Sequence, residues 1–291
     1  MSVERDRIMA VAAAALGPCR RIADLSWPHR EAVVVELEAA TGERVVAKAH
    51  RRATRFEAES LAYERWVPSL GQRAPQLIAA DPVAQVIIVT KLDGRPLSRP
   101  VADVDLPEVY RQAGELLARY HRADPPVRIN GYADQQRQRF ADWIARAGER
   151  VLDYDQIAFV ERKLAVLDEA PDPFGVPCHR DWQPFNWIVD EAGVISVIDF
   201  ELSQIDPWYE DLLRLWWYEW TATPQLAAPF FDGYGRRPSE SETRMLLAKS
   251  ALDHLIAIVW AAEHADDSVR DHAHRSLSHA MQLTRSSRAR A

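Results

Sequence analysis

Apolar and polar residues alternate in short runs through the first third of the chain, and longer runs with helical spacing follow. Arg21 to Leu25, Ala32 to Leu37 and Arg44 to Ala49 have the period-two character of antiparallel strands, with Ala40-Thr41-Gly42-Glu43 as a hairpin turn. Phe56, Leu61, Tyr63 and Trp66 recur among charged residues between Arg55 and Val67, which predicts an amphipathic helix. Val86 to Thr90 then returns as a buried strand. An alanine-rich helix ended by Gly17-Pro18 precedes this series.

Beyond it the helical period dominates. Leu106 to His121 puts Val109, Ala113, Leu116, Leu117 and Tyr120 on one stripe, the mark of a core-facing helix. Residues 133 to 170 continue in helical patterns broken near Asp153-Tyr154-Asp155, and two or more helices follow Ser239. One exception interrupts them: Asn186 to Val189 and Val194 to Phe200 are β-branched or aromatic runs separated by Asp190-Glu191-Ala192-Gly193, a hairpin with glycine in its turn. The pattern predicts an α+β fold, with a small antiparallel-sheet lobe over residues 1–91 and a larger, mostly helical lobe over 92–291.

The hairpin brings chemistry together. It sets Asp199, at the end of its second strand, close to Asn186 at the start of its first, and the loop from His179 to Phe185 hangs Asp181 beside them. Phosphoryl transfer requires a carboxylate to orient and deprotonate an attacking hydroxyl, and an amide oxygen with a second carboxylate to hold nucleotide-bound magnesium. Asp181, Asn186 and Asp199 supply those groups.

His179, Asp181 and Asn186 in the pattern His-x-Asp-x-x-x-x-Asn, followed after a hairpin by Asp199, resemble the aminoglycoside phosphotransferase family of the protein-kinase-like superfamily. The resemblance implies a two-lobed kinase-like fold and a nucleotide- and magnesium-dependent transfer from ATP or GTP to a hydroxyl of a small molecule. An antibiotic of the aminoglycoside or nucleoside type is the leading acceptor, giving resistance by inactivation. A metabolic kinase of choline, a sugar or an amino alcohol, and a nucleotide-binding pseudokinase, are the rival readings. By the same resemblance Lys48 holds nucleotide phosphates and Glu57 orients it, with Glu59 and Glu64 as further candidates. Lys91 and Leu92 would read the nucleotide base, and His179 would brace the catalytic loop.

Other residues have two readings. Asp206 caps a helix beginning near Pro207, or meets a cationic acceptor. Asp211 ties the catalytic loop. Trp182 could border the acceptor site and stack on a ring. Glu201, Asp206, Glu210 and Glu219 could together make the acidic pocket that an aminoglycoside requires.

Two departures separate the chain from protein kinases. Ser26-Trp27-Pro28-His29-Arg30, between the first two strands, contains no glycine, so a G-x-G-x-x-G phosphate loop is absent. The stretch after Asp199 is also too short for a peptide-docking activation segment.

A formal charge of -7 gives no overall drive toward nucleic acid or anionic membrane. Cys19 and Cys178 form neither a metal-ligand cluster nor a disulfide framework. The region before Ile8–Leu16 mixes Glu4 and Asp6 with Arg5 and Arg7, unlike a signal peptide. The expectation is a cytoplasmic enzyme, monomeric or homodimeric, with no stretch of membrane-spanning length.

Overall fold

The computed structural model describes residues 2–26, 32–97, 104–148 and 151–288. The glycine-free segment at 27–31 lies outside these residues. In chain order the elements are α1 (Ser2–Leu16), β1 (Cys19–Asp24), β2 (Ala32–Ala39), β3 (Arg44–His50), α2 (Ala53–Arg65), β4 (Leu77–Asp81), β5 (Val86–Thr90), β6 (Arg95–Pro96) and α3 (Leu106–His121). Then come β7 (Val127–Arg128), α4 (Tyr132–Arg146), α5 (Tyr154–Asp168), β8 (Phe174–Cys178), β9 (Trp187–Val189), β10 (Ile195–Val197) and β11 (Gln204–Pro207). The chain closes with two one-turn pieces, α6 (Leu212–Arg214) and α7 (Trp220–Ala222), and with α8 (Ala227–Tyr234), α9 (Glu240–His264) and α10 (Asp267–Arg288).

The chain divides into two compact units, Met1–Pro126 with Val176–Arg236, and Val127–Gly175 with Arg237–Ala291. The expected boundary near residue 91 falls inside the first unit.

The first unit contains an antiparallel sheet in the order β1-β2-β3-β5-β4. Alternation in β3 decides what each face carries. Ala47 and Ala49 are buried with Val35, Ile88 and the α1 residues Ile8, Val11 and Ala12. Lys48, between them, is sent to the opposite face, where it meets α2. The edge strand β4 was not expected: Leu-Ile-Ala-Ala-Asp has little β-branched content, and its pairing with β5 forms it.

The hairpin is where the pattern predicts it. β9 and β10 pair antiparallel, with Ile195 opposite Val189, and β6 joins the other side of β9. In place of one helix after Pro207 there is a 3-10 turn (Trp208–Asp211), then α6, a π-helical turn (Leu215–Glu219) and α7.

Helices α3 and α8 touch backbone to backbone. A Cβ at Gly114 would strike the Phe230 carbonyl oxygen, and one at Gly233 the Arg111 carbonyl oxygen. Only glycine permits this approach at either position.

In the second unit, β7 pairs with Phe174 and Gly175 at the start of β8. Asp153 and Gln156 form a capping box at α5, and Ser239 and Glu242 form another at α9. These caps are why the helical pattern breaks where it does. Helix α9 is long and apolar enough to cross a membrane, against expectation, but most of it is buried within the protein. It packs against α5 and α10, and the charge it carries inward is met locally: buried Lys249 donates to Asp253 one turn later at 2.6 Å.

Candidate active site

The loop leaving β8 places Asp181, which is 5% exposed, under tight control. The side-chain amide of Asn186 donates to both the carbonyl oxygen and Oδ2 of Asp181, each at 2.9 Å. Gln183 Nε2 donates to Oδ1 at 2.7 Å, and Arg214 Nε lies 3.4 Å from the same oxygen. The Ile198 amide donates to the Asn186 carbonyl at 3.0 Å, which anchors the loop's end to the strand leading into Asp199.

His179 holds the loop from inside. Its Nε2 is 3.0 Å from the Ile198 carbonyl, and the Asp181 amide donates to its Nδ1 at 3.3 Å. That pairing selects the tautomer protonated at Nε2. Asp211 holds the loop from below: it accepts from the amides of His179 at 2.9 Å and Arg180 at 2.5 Å, and pairs with His121 Nε2 at 2.9 Å. Burial pushes the Asp211 carboxyl up, but the bond to His121 and the His179 backbone amide outweigh it and hold the group below the usual aspartate range. Asp211 thus ties down the backbone of the loop that carries Asp181. Arg180 and Asp199 both sit at left-handed φ, +68° and +69°, conformations that non-glycine residues keep only where their surroundings enforce them.

Lys48 is the hub of the opposite wall. Its Nζ lies 2.6 Å from Asp199 Oδ1, 2.8 Å from Glu201 Oε2 and 3.0 Å from Glu59 Oε2. Burial alone would push the ammonium's pKa down, yet the three carboxylates together hold it well above its ordinary value. Glu59 also meets His50, with 2.9 Å between His50 Nε2 and Glu59 Oε2. His50, Glu59 and Glu201 are close enough to hold a metal ion, but the Lys48 ammonium is the cation they already surround.

The model of the phosphotransferase enzyme family matches residues 29–246. The chain belongs to this family. It is a small-molecule phosphotransferase, and its fold is shared by solved structures of low identity. A macrolide 2'-phosphotransferase from Brachybacterium faecium is 20% identical, with a TM-score of 0.64 over 94% of this chain and 98% of that one. An aminoglycoside phosphotransferase APH(4)-Ia, in a ternary complex with ADP and hygromycin B, is 16% identical with a TM-score of 0.72, over 94% of this chain and 98% of that one. A choline/ethanolamine kinase family protein from Mesorhizobium loti is 18% identical with a TM-score of 0.67, over 96% of this chain and 94% of that one. No curated protein sequence matches significantly.

Several expectations for this phosphotransferase need correction. Glu57 is exposed and Glu59 is the partner of Lys48, because the inward face of α2 is Phe56, Glu59, Ala62 and Tyr63. Trp182 borders no open site: it is fully buried, its ring centroid 5.4 Å from that of His179 and 6.3 Å from that of Trp187. Asp206 makes no helix cap; its carboxylate takes Arg180 and Gln204. Outside these corrections, Lys91 and Leu92 directly follow β5, and the Lys91 amide donates to Arg44 O at 3.2 Å and its ammonium to Leu92 O at 3.2 Å.

His50, Gln183 and Arg214 also join this cluster, beyond the residues expected from sequence. The alternation that aims Lys48 at α2 aims His50 the same way, so His50 was within reach of the pattern. Nothing local marks Arg214, which approaches Asp181 across 33 residues of chain.

Proposed function

We propose that this phosphotransferase moves the terminal phosphoryl group of ATP or GTP, with magnesium, onto a hydroxyl of a small molecule. The observation that carries the reading is Asp181, a buried carboxylate fixed by Asn186 and Gln183, on the same loop-and-hairpin unit as the Asp199–Lys48 pair. Residues 1–91 serve as the nucleotide-binding lobe in this proposal, and 92–291 as the catalytic and acceptor-binding lobe.

The donor set suits magnesium: Asp199 offers a carboxylate and Asn186 an amide oxygen, both hard ligands. The Asn186 amide nitrogen is spent on Asp181, which leaves its oxygen for a cation. Bound there, magnesium would neutralise charge on the nucleotide phosphates. The chain's own work is positional. Asp181 accepts a hydrogen bond from the acceptor hydroxyl, aims its oxygen and takes its proton as the bond to phosphorus forms. Lys48, kept protonated by its carboxylates, meets phosphate oxygens, and Glu59 keeps it from swinging away.

For the acceptor, antibiotic inactivation is the leading reading, supported by the macrolide and hygromycin B phosphotransferases among the structural relatives. A metabolic kinase is the second, supported by the choline/ethanolamine kinase family relative and by acidic residues that are engaged with partners inside the protein. A pseudokinase is disfavoured by the intact set of Lys48, Asp181, Asn186 and Asp199.

The test is magnesium-dependent ADP or GDP release, measured with ATP and GTP separately across a panel of hydroxyl acceptors. Acceptor-stimulated release that disappears in Asp181→Asn is expected. Magnesium-dependent nucleotide binding with no turnover on any acceptor would overturn the reading in favour of a binding module.

A further inference from the structure

An ionised carboxylate offers about four lone-pair directions, two on each oxygen. On Asp181, Oδ1 accepts from Gln183 Nε2 at 2.7 Å and faces Arg214 Nε at 3.4 Å, while Oδ2 accepts from Asn186 Nδ2 at 2.9 Å. The direction left over is on Oδ2. An acceptor hydroxyl that gives its proton to Asp181 binds there, and Oδ1 serves to fix the group's orientation.

The contact on Oδ1 also fixes which way the Gln183 amide points. A carboxylate oxygen accepts and does not donate, so the amide atom facing it is the NH2 group, and the carbonyl oxygen Oε1 is the end not spent on Asp181. Gln183 is half-buried, and Oε1 has no hydrogen-bond partner among the described residues. The residue itself is held still. It stands in extended conformation just before the 3-10 turn Pro184–Asn186, its carbonyl accepts the Asn186 amide at 2.9 Å, and Pro184 fixes the next φ. One planar amide thus donates to the catalytic base and offers an acceptor beside it. A single carbon separates its two polar atoms, so Oε1 lies within reach of whatever group neighbours the reacting hydroxyl. A hydroxyl or an ammonium on the adjacent carbon donates to it; a bare methylene leaves it unpaired as water is displaced.

We propose that Gln183 selects acceptors in which a hydroxyl or amino group stands on the carbon next to the reacting hydroxyl, a vicinal diol or amino alcohol, while its amide nitrogen positions Asp181. The inference rests on the phosphotransferase reading and narrows the acceptor to that class, which is compatible with both the antibiotic and the metabolic acceptors considered above.

The experiment compares open-chain and cyclic alcohol scaffolds, each supplied with a hydroxyl, an amine or only hydrogen on the carbon next to the reacting hydroxyl. Wild-type kcat/KM for the hydroxyl and amine forms should exceed that for the hydrogen form about tenfold. Gln183→Lys keeps a donor facing Asp181 but lacks the accepting oxygen. It should bring both ratios to one or below, chiefly by raising KM for the hydroxyl and amine forms. Gln183→Met lacks both polar atoms, so it should lose the same preference and also lower kcat on every form; melting temperatures of both variants verify folding. A wild-type ratio near one, ratios unchanged in Gln183→Lys, or a wild-type kcat in Gln183→Met overturns the proposal even if turnover is robust. If no acceptor raises nucleotide cleavage, the phosphotransferase reading is what fails. Calorimetric binding of the three forms, with magnesium and a non-hydrolysable ATP analogue present, then decides the recognition: tighter binding of the hydroxyl and amine forms, lost in Gln183→Lys, supports it, and equal or absent binding overturns it.

Discussion

Glu59 Oε2 stands 3.0 Å from Lys48 Nζ and 2.9 Å from His50 Nε2, so one carboxylate braces two neighbours on the same face of β3. Glu59→Gln removes the charge that holds Lys48 in place. It should raise the nucleotide KM about tenfold, a loss of ~1.4 kcal/mol, whereas exposed Glu57→Gln should stay within about twofold of wild type. Parallel nucleotide titrations of the two variants measure the difference.

Under the proposed mechanism Asp181→Asn removes the proton acceptor, together with one of the oxygens that take Asn186, Gln183 and Arg214. A fall in kcat of about 10²–10⁴-fold is expected, with nucleotide affinity nearly unchanged. Single-turnover kinetics beside equilibrium nucleotide binding separate the two effects.

The depressed pKa of Asp211 ties stability to pH. Because the folded-state carboxyl holds its charge below the ordinary value of 3.8, its stabilisation is complete above that value and is lost as pH falls through the lower, folded one. Asp211→Asn should cost about 3 kcal/mol at pH 7, since it leaves amides and a histidine without a charged acceptor, and the gap to wild type should narrow below pH ~4. Urea unfolding at neutral and acid pH reads both the cost and its disappearance.

Trp182 supports the loop by packing. Trp182→Ala should destabilise by about 3–5 kcal/mol, while Trp182→Phe should fold and leave the acceptor KM unchanged. Thermal melts and acceptor titrations together distinguish a packing role from direct contact with the acceptor.

What the sequence made legible was whatever local period or spacing controls. Strong alternation located β2, β3 and β5, and the turn at Asp190-Glu191-Ala192-Gly193 located the hairpin that unites Asn186 with the strand before Asp199. β4 escaped because its alanines have little strand preference of their own. The family resemblance points to Glu57, whereas Phe56 and Tyr63 mark a helical face that includes Glu59. The direction of Trp182 is hidden because adjacency to Asp181 says nothing of direction in an irregular loop; Arg180, two residues before it, is already left-handed. Arg214 depended on a fold-back that no local period encodes.

The glycine contact between α3 and α8 reaches the catalytic loop through relayed bonds. Tyr234, next to Gly233 in the crowded contact, bonds His121 at 2.8 Å, and His121 bonds the aspartate that carries the His179 and Arg180 amides. Helix spacing is thus a setting for loop position: a single methyl group at Gly114 would wedge the helices apart and slacken the loop while leaving every catalytic side chain in the sequence. Loss of activity from such a change would be a lesion of alignment, invisible to any inspection of the reacting groups themselves.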